Sequence, residues 1–291
     1  MLRHLLIVLS CCLTLSTQAA ERPSVVTTFS ILADLVTQIG GEDVALTNLV
    51  GADADAHVFE PSPRDIRALL GADLVIANGL GFEPWLGRVL AEQEARGSRI
   101  DASAGVVPLM LEEDGNHLPD PHAWQSLDNA RTYARNIARA LTTIDPANGK
   151  RYKARLDAWL AQLEVLHGQL APRLLALPES HRRVLTSHDA FGYFAQSWQL
   201  QFVAVQGLSE AAEPSAGEVA ALIRLVREHQ VRAVFLENIR DPRMITQIAE
   251  ESGVQVGGTL YSDALAAEGP ASTFLGMYRH NAETLLQALG H

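Results

Sequence analysis

"ANGKRYKARLDAWLAQLEVLHGQLAPRLLALP", residues 147–178, lies at mid-chain. Tyr152, Leu156, Trp159, Leu160, Leu163, Leu166 and Leu170 recur there at helical spacing, which predicts one helix from about Ala147 to Leu175. At ~1.5 Å per residue it would be about 40 Å long, the span of two small lobes side by side. An ordinary amphipathic core helix would show the same periodicity, but the position at mid-chain favours a connector.

A strand–helix rhythm runs on both sides of it. Before it, "SVVTTF" (24–29), "VALTNLV" (44–50) and "DLVIANG" (73–79) read as strands. Each is followed by a helical pattern, "ILADLVTQIG", "PRDIRALLGA" and "PWLGRVLAEQEARG", the last closed by Gly97. "SRIDAS" and "VVPLML" complete this half, and the helix "LDNARTYARNIARALTTIDP" stops at Asp145-Pro146. After the connector, strands are expected at 182–188, 201–207, 232–238 and 254–263, again alternating with helices. Apolar runs with little alternation, each followed by a helix, indicate parallel sheets covered on both faces. The fold class expected is α/β: two lobes, each with a parallel-rich β-sheet flanked by helices, joined by a long backbone helix. The expected boundaries are a signal peptide over 1–20, an N-terminal lobe over 21–145, the connecting helix over 146–177 and a C-terminal lobe over 178–291.

The 291 residues are 47% hydrophobic, ample for a sizeable core. A formal net charge of −11 argues against a general nucleic-acid binder. "MLRHLLIVLSCCLTLSTQAAERP" has a basic start, an apolar run from Leu5 to Leu15 and small residues before Glu21. That is the pattern of a secretory signal, cut after Ala19 or Ala20, and the run is too short to span a membrane. "VLSC" offers an alternative reading as a lipid-attachment box, which Leu9 fits poorly. Both cysteines, Cys11 and Cys12, lie in this segment. The processed chain would then have no thiolate, and any metal must be held by His, Asp and Glu.

Four residues stand out by position. His57 lies in the acidic, proline-bounded loop "ADAHVFEPSP" after a strand, and His122 lies in the turn-rich "LPDPHAW". His188 ends the strand "RRVLTSH", and Asp263 ends the strand "VGGTLYSD". Open α/β sheets bind ligands outside the carboxyl ends of their strands, and two candidates come from each half. A cleft between the lobes would bring all four together. Three imidazoles and a carboxylate make a tetrahedral shell for Zn²⁺. Imidazole also suits Cu²⁺ or Ni²⁺, and a bidentate carboxylate leaves Mn²⁺ open. Four protein ligands leave no vacant position for a catalytic water, which argues for holding a metal rather than using it. Each residue also has a plainer reading: an exposed loop histidine, a helix-capping His122, a core His188 beside Asp189, an N-capping Asp263.

These segments resemble the solute-binding proteins of zinc and manganese ABC importers, the ZnuA/TroA-like family, across nearly the whole processed chain. "DAHVFEPSP", "DPHAW", "TSHDAFGYFAQSWQL" and "LYSDAL" are similar to its four ligand motifs, in order. The resemblance implies two α/β lobes joined by a backbone helix, metal in the interlobe cleft, and ligand roles for His57, His122, His188 and Asp263. Members with Glu at the third position tend to be assigned to manganese; His188 leans this chain toward zinc. One departure is the short "LEEDGNHLPDPH", where many zinc receptors carry a long His-rich loop; His117 is its one extra histidine and an auxiliary-ligand candidate. Glu60 or Asp120 could accept a hydrogen bond from a ligand imidazole and fix its tautomer.

The function expected is an extracytoplasmic, periplasmic receptor that captures Zn²⁺, with Mn²⁺ or Fe²⁺ as alternatives. It would deliver the ion to an ABC-transporter permease in the inner membrane. It is expected to act as a monomer, with a periplasmic metallochaperone as a further candidate partner and no nucleic acid. A Gly-rich phosphate loop with its lysine is absent, so ATP hydrolysis is not expected of this chain. The competing readings are a manganese or iron receptor of the same family, a secreted zinc hydrolase with Asp263 as base, and an adhesin-like surface protein.

Overall fold

The computed structural model describes residues 21–92, 95–113, 115–206, 216–228 and 230–290. The expected signal segment lies outside them. No helix among the described residues is long and apolar enough to cross a membrane.

The N-terminal half runs β1 (Ser24–Phe29), α1 (Ser30–Gly40), β2 (Ala45–Val50), α2 (Pro63–Gly71), β3 (Leu74–Ala77), α3 (Pro84–Glu92) and β4 (Ser98–Asp101). Its sheet has the order β2-β1-β3-β4, all parallel. β5 (Met110–Glu113), β6 (Asn116–Pro119) and α4 (Leu127–Ile144) follow. Next comes α5 (Gly149–Leu174), 26 residues and about 39 Å at ~1.5 Å per residue.

The C-terminal half runs β7 (Arg183–His188), α6 (Gly192–Trp198), β8 (Gln201–Gln206), α7 (Ala216–Glu228), β9 (Ala233–Glu237), α8 (Arg243–Ser252), β10 (Val256–Leu260) and α9 (Phe274–Leu289). Its sheet has the order β10-β9-β7-β8, again all parallel. The molecule is therefore α/β, with two parallel-sheet lobes flanked by helices and a long helix between them in sequence.

Alternation along the strands explains the layers. Val25 faces the main core, while its neighbour Val26 joins a smaller cluster with Leu69, Val75 and Leu86 under α2 and α3. In the second sheet Val184 faces the main core, and Leu185 packs with Ile223, Val226, Ile245 and Ile248 under α7 and α8. Adjacent strand residues point to opposite faces, so each sheet has two covers. The main core continues through both lobes and includes Tyr152, Trp159, Leu163, Leu166, Leu170 and Leu174 of α5. That helix packs on α1, α4 and α9, so it serves both as a connector and as a core helix.

Two segments differ from the sequence reading. "VVPLML" does not add to the parallel sheet. Met110–Glu113 pairs antiparallel with Asn116–Pro119 as a separate hairpin. Gly115, just before Asn116, has φ 75°, the left-handed backbone that tight connections between antiparallel strands use. The last strand is shorter than 254–263. It begins at Val256, shifts register between Val256 and Gly258, and ends at Leu260. The Tyr261 amide donates to the Asn281 side chain instead of continuing the ladder.

Candidate metal centre

The four candidates reach one point from four different connections. His57 follows β2, His122 follows the hairpin strand β6, His188 is the last residue of β7, and Asp263 lies three residues beyond β10. One donor atom from each lies within 4.8 Å of every other. Asp263 Oδ2 is 3.1 Å from His57 Nε2 and 3.0 Å from His188 Nε2. His122 Nε2 is 3.4 Å from His57 Nε2 and 3.6 Å from Asp263 Oδ1. With metal–donor bonds of ~2.0–2.1 Å, a tetrahedral shell places its donors about 3.3 Å apart. These four contacts, at 3.0–3.6 Å, lie near that spacing, and the group as a whole spans up to 4.8 Å. Two imidazole lone pairs 3.4 Å apart repel unless a proton or a cation lies between them. The buried Asp263 Oδ1 has no hydrogen-bond partner among the described residues. A divalent ion would satisfy all of these groups.

Neighbouring carboxylates aim the rings. His122 Nδ1 is 2.8 Å from Asp120 Oδ1, and the same oxygen accepts the His122 backbone N–H at 2.9 Å. His188 Nδ1 is 2.7 Å from Glu237 Oε2, while Glu237 Oε1 accepts the backbone N–H groups of Ser187 and His188. At His122 the hydrogen-bonded carboxylate places the proton on Nδ1 and turns the Nε2 lone pair toward the centre, and at His188 the Glu237 contact is a close ion pair. Burial opposes charge on His188, but Glu237 and Asp263 outweigh it and hold the imidazole well above its ordinary range. Burial likewise opposes ionisation of Asp263, and His188 and His122 outweigh it, holding that carboxyl well below its usual value. Without a cation, the site keeps a proton near the position a metal would take.

The surroundings are dry. His122, His188 and Asp263 are fully buried, and His57 is mostly so. Phe82 meets His57 edge-on at 4.9 Å, and Trp124 meets His122 edge-on at 5.3 Å. The Trp124 indole N–H and the Gln125 amide both donate to the Ser262 carbonyl, at 2.9 and 2.7 Å. These bonds tie the His122 segment to the residue before Asp263. Asn78 holds the same segment from behind by donating to the Pro121 carbonyl at 2.8 Å.

Of the remaining candidates, Asp120 stands against the His122 ring. Glu60 is exposed, and the carboxylate against the second buried imidazole is Glu237. His117 is exposed on β6, opposite Glu112, and is not in the four-donor group. Sequence reading missed Glu237. Its signal was a lone acid closing the apolar run "RAVFLEN", at a strand's carboxyl end like His188.

The chain matches the model of the family described as "Zinc-uptake complex component A periplasmic" over residues 25–288. It belongs to that family. A manganese-binding lipoprotein, MntA, of Halalkalibacterium halodurans is 32% identical over 94% of this chain and 91% of its own. An iron-binding protein, YfeA, of Yersinia pestis is 30% identical over 93% and 88%. The solved periplasmic zinc binding protein TroA of Treponema pallidum superimposes with a TM-score of 0.86 at 29% identity, over 92% of this chain and 99% of that one. Other relatives are named as metal ABC transporter substrate-binding lipoproteins. The family is one of receptors rather than enzymes, and this removes the hydrolase alternative.

Proposed function

We propose that this protein is an extracytoplasmic receptor that captures a divalent transition metal, Zn²⁺ first, and hands it to the permease of an ABC importer. The observation that carries this reading is the convergence of three imidazoles and one carboxylate on a buried point, with one donor atom of each within 4.8 Å of the others. His57, His122, His188 and Asp263 are the proposed ligands, with Asp120 and Glu237 orienting two of the rings. Residues 21–145 and 178–291 are the proposed lobes and 146–177 the connecting segment. The ion is cargo, so the site must bind it and also release it. The periplasm and a membrane permease are the corresponding location and partner.

Zinc is favoured by the donor set. Neutral imidazole is a borderline-soft ligand, and three of them suit Zn²⁺ better than Mn²⁺, which prefers more oxygen. Relatives named for manganese and iron keep those ions as the second reading. The test is a competitive titration of metal-stripped protein with Zn²⁺, Mn²⁺ and Fe²⁺, with elemental analysis, beside His188→Glu. One tightly held zinc, with discrimination against Mn²⁺ narrowed in the variant, supports the zinc assignment. A wild-type margin no wider than the variant's moves the assignment to manganese or iron, and no stoichiometric metal overturns the receptor reading.

A further inference from the structure

The loop that carries His57 is fastened to the opposite half of the molecule. Asp53, at φ 51°, receives the Asn238 side-chain amide on Oδ1 at 2.9 Å and the Ala267 backbone N–H on Oδ2 at 3.0 Å. Its own N–H donates to the Leu265 carbonyl at 2.9 Å. Asp55 acts in two directions. Its Oδ1 accepts the His57 backbone N–H at 2.8 Å, and its Oδ2 lies 3.1 Å from Arg240 Nη1. Both side chains of this ion pair are largely shielded, at 14% and 11% exposure.

The C-terminal partners lie on one short stretch, Glu237-Asn238-Ile239-Arg240, which leaves β9. Glu237 grips His188, while Asn238 and Arg240 grip Asp53 and Asp55. One strand end therefore holds a proposed ligand of its own lobe and the loop bearing a ligand of the other. His57 is also the only one of the four donors that is not fully buried, with a side-chain exposure of 13%.

We infer that Asp55 and Arg240, with Asp53 and Asn238, form a latch that positions His57 across the cleft and sets how fast a bound ion leaves. The inference rests on the receptor reading above for its ion-release arm. The physical case is that, among the described residues, no carboxylate stands against His57 Nδ1 as Asp120 and Glu237 stand against the Nδ1 of His122 and His188, so the placement of His57 depends on its backbone. Asp55 fixes that backbone through the His57 N–H, and Arg240 fixes Asp55. Separating the lobes at this point withdraws one imidazole and leaves three donors, an incomplete shell.

The test uses Asp55→Asn, which keeps an oxygen for the His57 N–H but removes the charge, with Arg240→Gln, their double variant and Arg240→Lys. Zinc-loaded protein is mixed with excess 4-(2-pyridylazo)resorcinol and release is followed by absorbance. Breaking a shielded charge pair acts on dissociation, so each single variant is expected to release zinc at least about tenfold faster. The double variant should be no faster than the singles, since both remove one interaction, and Arg240→Lys should fall between. Amide exchange of Asp53 in metal-free protein should quicken in the same order. Unchanged release, additive singles, or a lowered melting temperature with no change in release rate would overturn the latch. A wild-type chain that takes up no zinc overturns the zinc assignment instead; the Asp53 exchange rate then still decides the latch.

Discussion

His188 Nδ1 lies 2.7 Å from Glu237 Oε2, and both side chains are fully buried. Glu237 also accepts the backbone N–H groups of Ser187 and His188, so one carboxylate sets both the ring and the strand end that carries it. Glu237→Gln keeps the shape and removes the charge that raises the basicity of the ring. Metal affinity is expected to fall about 10–100-fold with the fold intact. Chelator competition reads the affinity and circular dichroism the fold; unchanged affinity would show that the carboxylate does not tune the ligand.

The same pair predicts a pH dependence. The His188 imidazole is held well above its ordinary range by Glu237 and Asp263 against the effect of burial, so at neutral pH the metal-free site is protonated. Metal must displace that proton, and apparent affinity should rise with pH. Calorimetry in buffers of different ionisation enthalpy should detect proton release on zinc binding, and none would contradict the assignment.

The stability of the metal-free protein follows the opposite sense at the alkaline end. A raised histidine contributes fully below its unfolded value of ~6.5 and is lost as pH rises through its folded value. The lowered Asp263 contributes above its unfolded value of ~3.9 and is lost in acid. The pair's contribution to metal-free stability should therefore be largest between about pH 4 and 6.5. Denaturant midpoints measured across pH with chelator present check this, and a midpoint still rising above pH 7 in wild type but not in His188→Gln would contradict it.

Leu163 sits fully buried at the middle of α5, in the core shared by both halves. Leu163→Ala should cost about 2–5 kcal/mol in urea unfolding, from lost burial and the cavity left behind. A cost below about 1 kcal/mol would mean that the helix is not part of the common core.

Gly257 is required by packing. A Cβ there would lie 2.5 Å from the Phe235 ring and 2.9 Å from the Ala288 methyl, between β10 and α9. Gly257→Ala is expected to destabilise the protein by about 1–3 kcal/mol by overpacking. Thermal melts of the two proteins decide it.

Much of this protein is written locally. Strand-length apolar runs, each followed by a helical period, were enough to place two parallel sheets, because burial on both faces leaves no polar alternation. The spacing of Tyr152, Trp159, Leu163 and Leu170 was enough to place the long helix. His57, His188 and Asp263 are legible as candidates because they lie at or shortly after strand carboxyl ends, where open α/β sheets bind ligands, whereas His122 follows the antiparallel hairpin. The hairpin at 110–119 and the early end of β10 were not legible, since both depend on which backbone partner an amide finds.

What only the tertiary structure decided is the set of partners. Asp120 and Glu60 were equal candidates in sequence, and folding put Asp120 against His122 and left Glu60 exposed. Glu237, an acid in an apolar strand, acquires meaning only because β9 lies beside β7. The contacts from Asp53 and Asp55 to Asn238 and Arg240 span about 185 residues of chain. Periodicity and motif spacing report a residue's neighbours within a few turns; hydrogen bonds and ion pairs between distant segments are set when the two halves close on each other.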